Sequence, residues 1–274
     1  MNSIEKKILK CFENEKYAQI AVGNRDAYLS SYPYPHMIFD DFLPPEVADV
    51  VAASYPDVDS VSNGHWKFHN NNNVSRFFLE DVTQFNDSMR LFSNAVSSRS
   101  FLLFLEALTG IPALCADPYF MGGGAMATGS GGFLNVHVDF NWHQKIQCWR
   151  RLNVLFYLTA DWSEGWGGDL ELWSKDSHHM EKRITPKFNR MVVFNTTQDS
   201  FHGQPTPIAC PEGIFRRVFS AFYYTSEKGE DIDPHPHYTK YSDSVAPVVP
   251  ADVTNSPYSQ AITDDYLRST KVVK

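Results

Sequence analysis

From about residue 118 to residue 224 the chain is written in short β-type runs broken by Gly, Pro and Asn. Leu152 to Leu158, Asp169 to Trp173, Arg190 to Asn195 and Arg216 to Tyr224 are the clearest of them. This texture calls for a β core. Ahead of it the chain reads mainly as helix. Ile4, Ile8, Cys11 and Phe12 fall at i, i+4, i+7 and i+8, one stripe of an amphipathic helix with Ser3 as its N-cap. Pro35 to Asp40 reads as a short strand, and Pro44-Pro45-Glu46-Val47 sets proline in a first helical turn, where it is tolerated. Ser100 to Leu108 is a dense apolar helix that Gly110 and Pro112 terminate. The polar run His69 to Val74, with four consecutive asparagines, reads as a loop, and the glycines of Met121 to Gly132 as a flexible loop. The expectation is an α+β chain forming one domain over 1–274. It divides into a helical N-terminal layer (1–115), a β core (116–226) and a polar, proline-containing tail (227–274). The tail is free to wrap the core or to pair with a second copy in a homodimer.

The 274 residues are 43% hydrophobic, enough for one sizeable core or two small ones. A net charge of -8 with no basic patch or arm excludes nucleic acid as a direct partner. The first residues lack the apolar region of a signal peptide, and no stretch approaches a membrane span, so no membrane partner is expected. Cys11, Cys115, Cys148 and Cys210 are scattered and form no C-x-x-C pair. They read as free thiols in a reducing cytoplasm.

Within the β region lies His137-Val138-Asp139, followed by Phe201-His202-Gly203. Alternate residues of a strand point to the same face, so an H-x-D tripeptide in extended chain aims an imidazole and a carboxylate at one point. Two imidazoles and one carboxylate are the donor set that holds non-haem Fe(II) with positions left open. Further along, Arg216, Val218, Ser220 and Phe222 share a strand face. A guanidinium and a hydroxyl together suit a buried carboxylate. A one-residue slip would exchange Arg216 for Arg217.

Taken in order, HVD, RRLNVLFYLTADWSEGWGGDLELW, MVVFN, FHG and RRVFSAFYY resemble the 2-oxoglutarate/Fe(II)-dependent oxygenases, in their prolyl 4-hydroxylase-like branch. A weaker echo lies in PHMIFDDFLPPEVAD. The resemblance implies a double-stranded β-helix, the jelly-roll architecture shared with cupins, carrying the N-terminal helices. It implies His137, Asp139 and His202 as iron ligands and Arg216 as the clamp on the distal carboxylate of 2-oxoglutarate. Ser220 and the Tyr157 hydroxyl would support that carboxylate. Asn153, on the same strand face as Leu155 and Tyr157, would line the co-substrate pocket. The chain departs from the branch in a longer gap between His202 and Arg216, which leaves Arg217 as the alternative clamp.

The implied cofactors are Fe(II), 2-oxoglutarate and O2, with ascorbate as reductant in vitro. The implied reaction releases succinate and CO2 and hydroxylates an unactivated C–H. Related halogenases carry a small residue where this chain has Asp139, so hydroxylation is the expected outcome. A small molecule such as an amino acid is the favoured substrate. Peptidyl proline is the alternative, and a non-catalytic jelly-roll binding module the alternative of another class. Among the remaining candidates, His178, His179, His235 and His237 read as solvated. His143 reads as either facing the site or lying in a surface loop. Trp142, Trp162, Trp166 and Trp173 read as packing at hairpin ends. Arg150 and Arg151 either steer an anion or solvate a strand start.

Overall fold

The computed structural model describes residues 1–58 and 66–245. Its helices are α1 (Ser3–Leu9), α2 (Glu15–Leu29), α3 (Pro45–Ala53), α4 (Asp87–Val96) and α5 (Arg99–Thr109). Among them run the strands β1 (His36–Phe39), β2 (Lys67–Asn71) and β3 (Val74–Leu79). Next come β4 (Cys115–Ala116), β5 (Gly124–Thr128), β6 (Phe133–Val138), β7 (Trp142–His143) and β8 (Cys148–Tyr157). The last are β9 (Leu170–Trp173), β10 (Met180–Ile184), β11 (Met191–Asn195), β12 (His202–Gln204), β13 (Arg216–Thr225) and β14 (Lys240–Tyr241).

Asn2, and not Ser3, caps α1. The Asn2 side chain accepts from the Glu5 amide while the Glu5 carboxylate accepts from the Asn2 amide, a reciprocal capping box. The helix stops at Lys10, and Cys11–Glu13 form a 3₁₀ turn, so the expected apolar stripe is shared by two short elements. Asn14 and Asn86 cap α2 and α4, which add to the helices read from the sequence. α5 ends at Gly110 in the left-handed region (φ 74°), as read.

Two expected loops prove to contain strands. The asparagine run lies in the β2–β3 hairpin, where Asn71 pairs with Val74 across the turn. Asn71 Oδ1 accepts from the Asn73 and Val74 amides at 2.8 and 3.2 Å, so the run closes a turn between paired strands. The glycine-rich stretch contains β5, every residue of which is buried.

All pairings are antiparallel, in the order β1-β11-β8-β13-β5-β3-β6-β12-β9-β10. β11-β8-β13-β5 forms one half and β6-β12-β9-β10 the other, and the chain passes back and forth between them. This is a double-stranded β-helix. β3 pairs with both β5 and β6 and closes the seam between the halves. One apolar cluster joins the helices to the outer face of the first half, with Phe92 5.2 Å from both Phe156 and Phe219. Burying each such ring contributes about 1.5–3 kcal/mol. A second cluster, including Tyr157, Leu172, Phe194, Val218 and Phe222, lies on the inner side. Along β13 the period of two sends Phe219, Ala221 and Tyr223 outward and Val218 and Phe222 inward.

The described part of the tail wraps the core, because β14 pairs with β6. The rest of the tail, 246–274, lies outside the described residues. Among the described residues no helix is long and apolar enough to cross a membrane.

Candidate active site

β6 and β12 run antiparallel with His137 and His202 as direct partners, so the two imidazoles project side by side, 4.4 Å apart. Gly203 permits the approach. A Cβ there would meet the Leu134 carbonyl at 2.9 Å and Val136 Cα at 3.0 Å. Nδ1 of His137 lies 2.8 Å from the Asn135 carbonyl, and Nδ1 of His202 2.9 Å from that of Ser200. A carbonyl only accepts, so Nδ1 carries the proton and Nε2 keeps its lone pair for a metal. Asp139 brings Oδ1 to 3.4 Å from His137 Nε2 and Oδ2 to 3.3 Å from His202 Nε2. The three donor atoms lie within 4.8 Å of one another, all on buried residues.

Burial pushes the Asp139 carboxyl up, but the Arg150 guanidinium and the two imidazoles outweigh it and hold the group well below the usual carboxylate range. Burial, more than any charge, lowers His202 to about 4. An ionised carboxylate beside a neutral imidazole is the protonation state that a metal requires.

Arg150 reaches Asp139 Oδ2 at 3.0 Å and is only 1% exposed. It neither steers an anion from outside nor solvates the strand start. Its guanidinium lies 3.4 Å from the Phe222 ring centroid and 4.5 Å from that of Phe140. Asn153 completes the group. Its Nδ2 donates to Asp139 Oδ2 at 2.7 Å, and its Oδ1 accepts from Arg150 Nε at 3.1 Å and from Nη2. Asn153 lines the cavity, with its side chain committed to Asp139.

The cavity, about 260 Å³, opens between the two halves beside the triad. Arg216, Val218, Ser220 and Phe222 all line it, with the register fixed by the pairs Val218–Tyr157 and Ser220–Leu155. Arg217 faces away, its guanidinium 5.7 Å from the Tyr55 ring. Arg216 Nη1 donates to the Gly168 carbonyl, while Arg216 Nε and Ser220 Oγ are buried with no protein partner. Tyr157 also lines this wall, its hydroxyl pushed by burial to about 12, and stays protonated as a donor. An orphaned guanidinium N–H and an orphaned hydroxyl facing one cavity fit an incoming carboxylate.

His143 is fully buried, with Nε2 3.2 Å from Asp117, so it lies neither in the site nor in a surface loop. Arg151 lies across β8 from Arg150, donating to Thr225 Oγ1 at 3.3 Å. His178, His179 and His235 are exposed, but His237 is largely covered, its amide donating to Asn141 Oδ1 at 2.8 Å. The tryptophans pack at hairpin ends, Trp142 on Trp149 at 4.8 Å and Trp162 on Trp166 at 5.2 Å. Among the further residues lining the cavity are two that no sequence motif marks, Arg76 on β3 and Tyr241 on β14. Arg76 carries a period-two signal, in register with Val74 and Phe78, once β3 is known to be a strand.

Residues 123–229 match the family model of the 2OG-Fe(II) oxygenase superfamily. Similar solved structures include a prolyl hydroxylase in complex with a hypoxia inducible factor oxygen degradation domain peptide, from Trichoplax adhaerens. It aligns with a TM-score of 0.54 at 18% identity over 77% of this chain and 90% of that one. A Pseudomonas putida prolyl-4-hydroxylase aligns with a TM-score of 0.49 at 15% identity, over 76% and 98%. HygX from Streptomyces hygroscopicus, solved with nickel, 2-oxoglutarate and hygromycin B, aligns with a TM-score of 0.44 at 10% identity, over 75% and 92%.

Proposed function

We propose, for a chain that belongs to the 2OG-Fe(II) oxygenase superfamily through residues 123–229, hydroxylation of an unactivated C–H of a small molecule such as an amino acid. As a member of that superfamily it is a 2-oxoglutarate-dependent non-haem iron dioxygenase, using Fe(II), 2-oxoglutarate and O2. The observation that carries the site assignment is the convergence of His137, Asp139 and His202 beside a cavity with an orphaned guanidinium and hydroxyl. Bound iron supplies oxygen activation coupled to the decarboxylation of 2-oxoglutarate to succinate and CO2.

The protein's own residues do the rest. His137 and His202 present Nε2, and Asp139 presents a carboxylate that Arg150 and Asn153 hold in place. Arg216 takes the distal carboxylate of 2-oxoglutarate, Ser220 donates its hydroxyl to it, and Tyr157 offers a protonated phenol. Phe140, Phe222 and Phe194 supply apolar wall to the cavity around them.

A small substrate is favoured over a peptide because β14 occupies the edge of β6 beside His137, where an extended chain could otherwise add a strand. Peptidyl proline is the second reading. The proposal takes 1–274 as one oxygenase domain, supported by the single core that joins α1–α5 to the β-helix. It includes a cytoplasmic location, supported by four cysteines that form no disulfide.

The test supplies Fe(II), ascorbate and 2-oxoglutarate to the purified protein and measures succinate. Slow uncoupled release is expected, and its loss in His137→Ala and in Asp139→Ala. A protein that binds neither iron nor 2-oxoglutarate overturns the assignment, and binding without succinate supports the non-catalytic module. Screening metabolites and prolyl peptides together for stimulated succinate release decides the substrate class.

A further inference from the structure

Arg76 stands unpartnered in the cavity wall. It lies on β3, where Val74, Arg76 and Phe78 face the cavity while Phe77 and Leu79 join the helical core. Among the described residues its guanidinium makes no hydrogen bond or ion pair, and its Nε is buried without a partner. The nearest aromatic contact is the Phe78 ring, 5.6 Å from the guanidinium carbon.

The other charges around the cavity are already matched. Arg150 is paired with Asp139 at 3.0 Å. Glu80 accepts from Lys67 Nζ at 3.0 Å and from the Gly122 amide at 2.6 Å. Arg216 has the distal carboxylate of 2-oxoglutarate under the function proposed above. His69, the partner of Arg76 across the hairpin, is lowered to about 4 by burial first and by Arg76 second, so it is neutral and offers no counter-charge. The Arg76 side chain is half-buried, with Nε sealed from water without a partner, so an anion entering the cavity meets an unmatched charge and an unsatisfied donor there.

The sheet keeps Arg76 apart from Arg216. Thr128 of β5 partners Arg216 on one side, and its neighbour Ala127 partners Phe77 on the other. The two arginines therefore stand on strands flanking β5, with backbones roughly 10 Å apart at the usual strand spacing. On the Arg76 side the wall also carries Tyr241, whose strand β14 runs beside His137. One planar fork and one phenol match the two oxygens of a carboxylate, whereas a phosphate dianion calls for more donors.

Resting on the oxygenase reading, we propose that Arg76 anchors a carboxylate of the substrate, with Tyr241 beside it. The substrate class is then a small free carboxylic acid, such as an amino acid with its α-carboxylate uncapped.

The experiment loads the full chain with Mn(II) and 2-oxoglutarate and follows thermal melting and calorimetric binding. The probes are two panels, the common free amino acids and the same amino acids as primary amides. At least one free acid is expected to raise the wild-type melting temperature while its amide does not. In Arg76→Gln its affinity should fall at least about thirty-fold, while the affinity for 2-oxoglutarate stays within about two-fold. Arg76→Lys should recover only part of the loss, since it restores the charge but not the fork. Ligand-free Arg76→Gln should also melt higher than wild type, the reverse of what a structural arginine would give.

The proposal is overturned if no free acid binds, if amides bind equally well, or if Arg76→Gln keeps wild-type affinity. A fall in 2-oxoglutarate affinity in a folded Arg76→Gln overturns it too, by assigning Arg76 to the co-substrate. The acid-versus-amide comparison in wild type decides the matter even where the variant fails to fold. If Mn(II) and 2-oxoglutarate leave the wild-type melting temperature unchanged, the oxygenase reading fails and this inference with it. If they raise it and the acids do not discriminate, this inference fails alone.

Discussion

In the proposed iron site, Asp139 is held in place by two residues. Its Oδ2 takes bonds from Arg150 and Asn153, which turn the carboxylate toward the imidazoles and keep it ionised. Asn153→Ala removes one of those bonds and leaves Arg150 without the amide oxygen it shares. The expected result is a roughly 10–100-fold weaker Mn(II) affinity by calorimetry, with the fold retained by circular dichroism. Arg216→Ala should raise the 2-oxoglutarate requirement of uncoupled turnover at least about ten-fold while leaving Mn(II) affinity unchanged, since under the proposed function it deletes the guanidinium that takes the distal carboxylate. Arg217→Ala should do neither. The Arg216 face was legible in the sequence because a strand's period of two sorts its residues once its ends are known. Arg150 was not. Beside Arg151 it looks like a solvated strand start, and only the β7–β8 hairpin, which sets the Arg150 amide 2.8 Å from the Asn141 carbonyl, brings it back to Asp139.

Between elements, close approach decides what the sequence hides. Gly203 lets β12 lie on β6, and Gly203→Ala would press a Cβ against the backbone of Leu134 and Val136. A destabilisation of about 1–3 kcal/mol is expected for such overpacking. Because His202 precedes Gly203, metal affinity should fall with stability, read by denaturant unfolding and Mn(II) titration on the same variant. Unchanged metal affinity would show that His202 does not depend on the strand contact. The same physics made β5 look like a loop. Gly124 has φ +77°, and a Cβ on it would stand 2.5 Å from the Leu79 carbonyl, so glycine is required by β3 lying across it. Single-sequence reading scores such a residue as a breaker. β2 leaves little signal in the sequence for another reason, since it is an outer strand whose side chains alternate only between exposed and half-buried and show no apolar face. β8, β9, β11 and β13, mostly buried and apolar, were read within a few residues of their ends.

Across the whole molecule, the N-terminal layer is joined to the β-helix by apolar rings over its area and by one charged clamp at its margin. β1 pairs with β11, and just beyond that pairing Arg190 donates to Asp40 through Nε at 2.6 Å and Nη2 at 2.9 Å, with Lys187 adding a bond at 3.3 Å. The Arg190 hydrogen bonds, more than any other cause, lower the Asp40 pKa from its ordinary value of 3.8. The folded state therefore binds this proton less readily than the unfolded chain, and stability rises with pH across the interval between the two values. The clamp's contribution is complete above the unfolded value and is lost as pH falls through the folded one. Asp40 is more than a third exposed, so solvent screens the pair and the contribution is at most about 1 kcal/mol. Urea unfolding of wild type and Asp40→Asn should show wild type the more stable at pH 7 and still so at pH 5. The gap should narrow below pH 4 and close once the wild-type carboxylate is protonated. Raising salt at pH 7 should shrink the same gap, since the pair is open to counter-ions. A gap that held constant from pH 7 to pH 3 would show that Asp40 supports the layer through its shape and not through its charge.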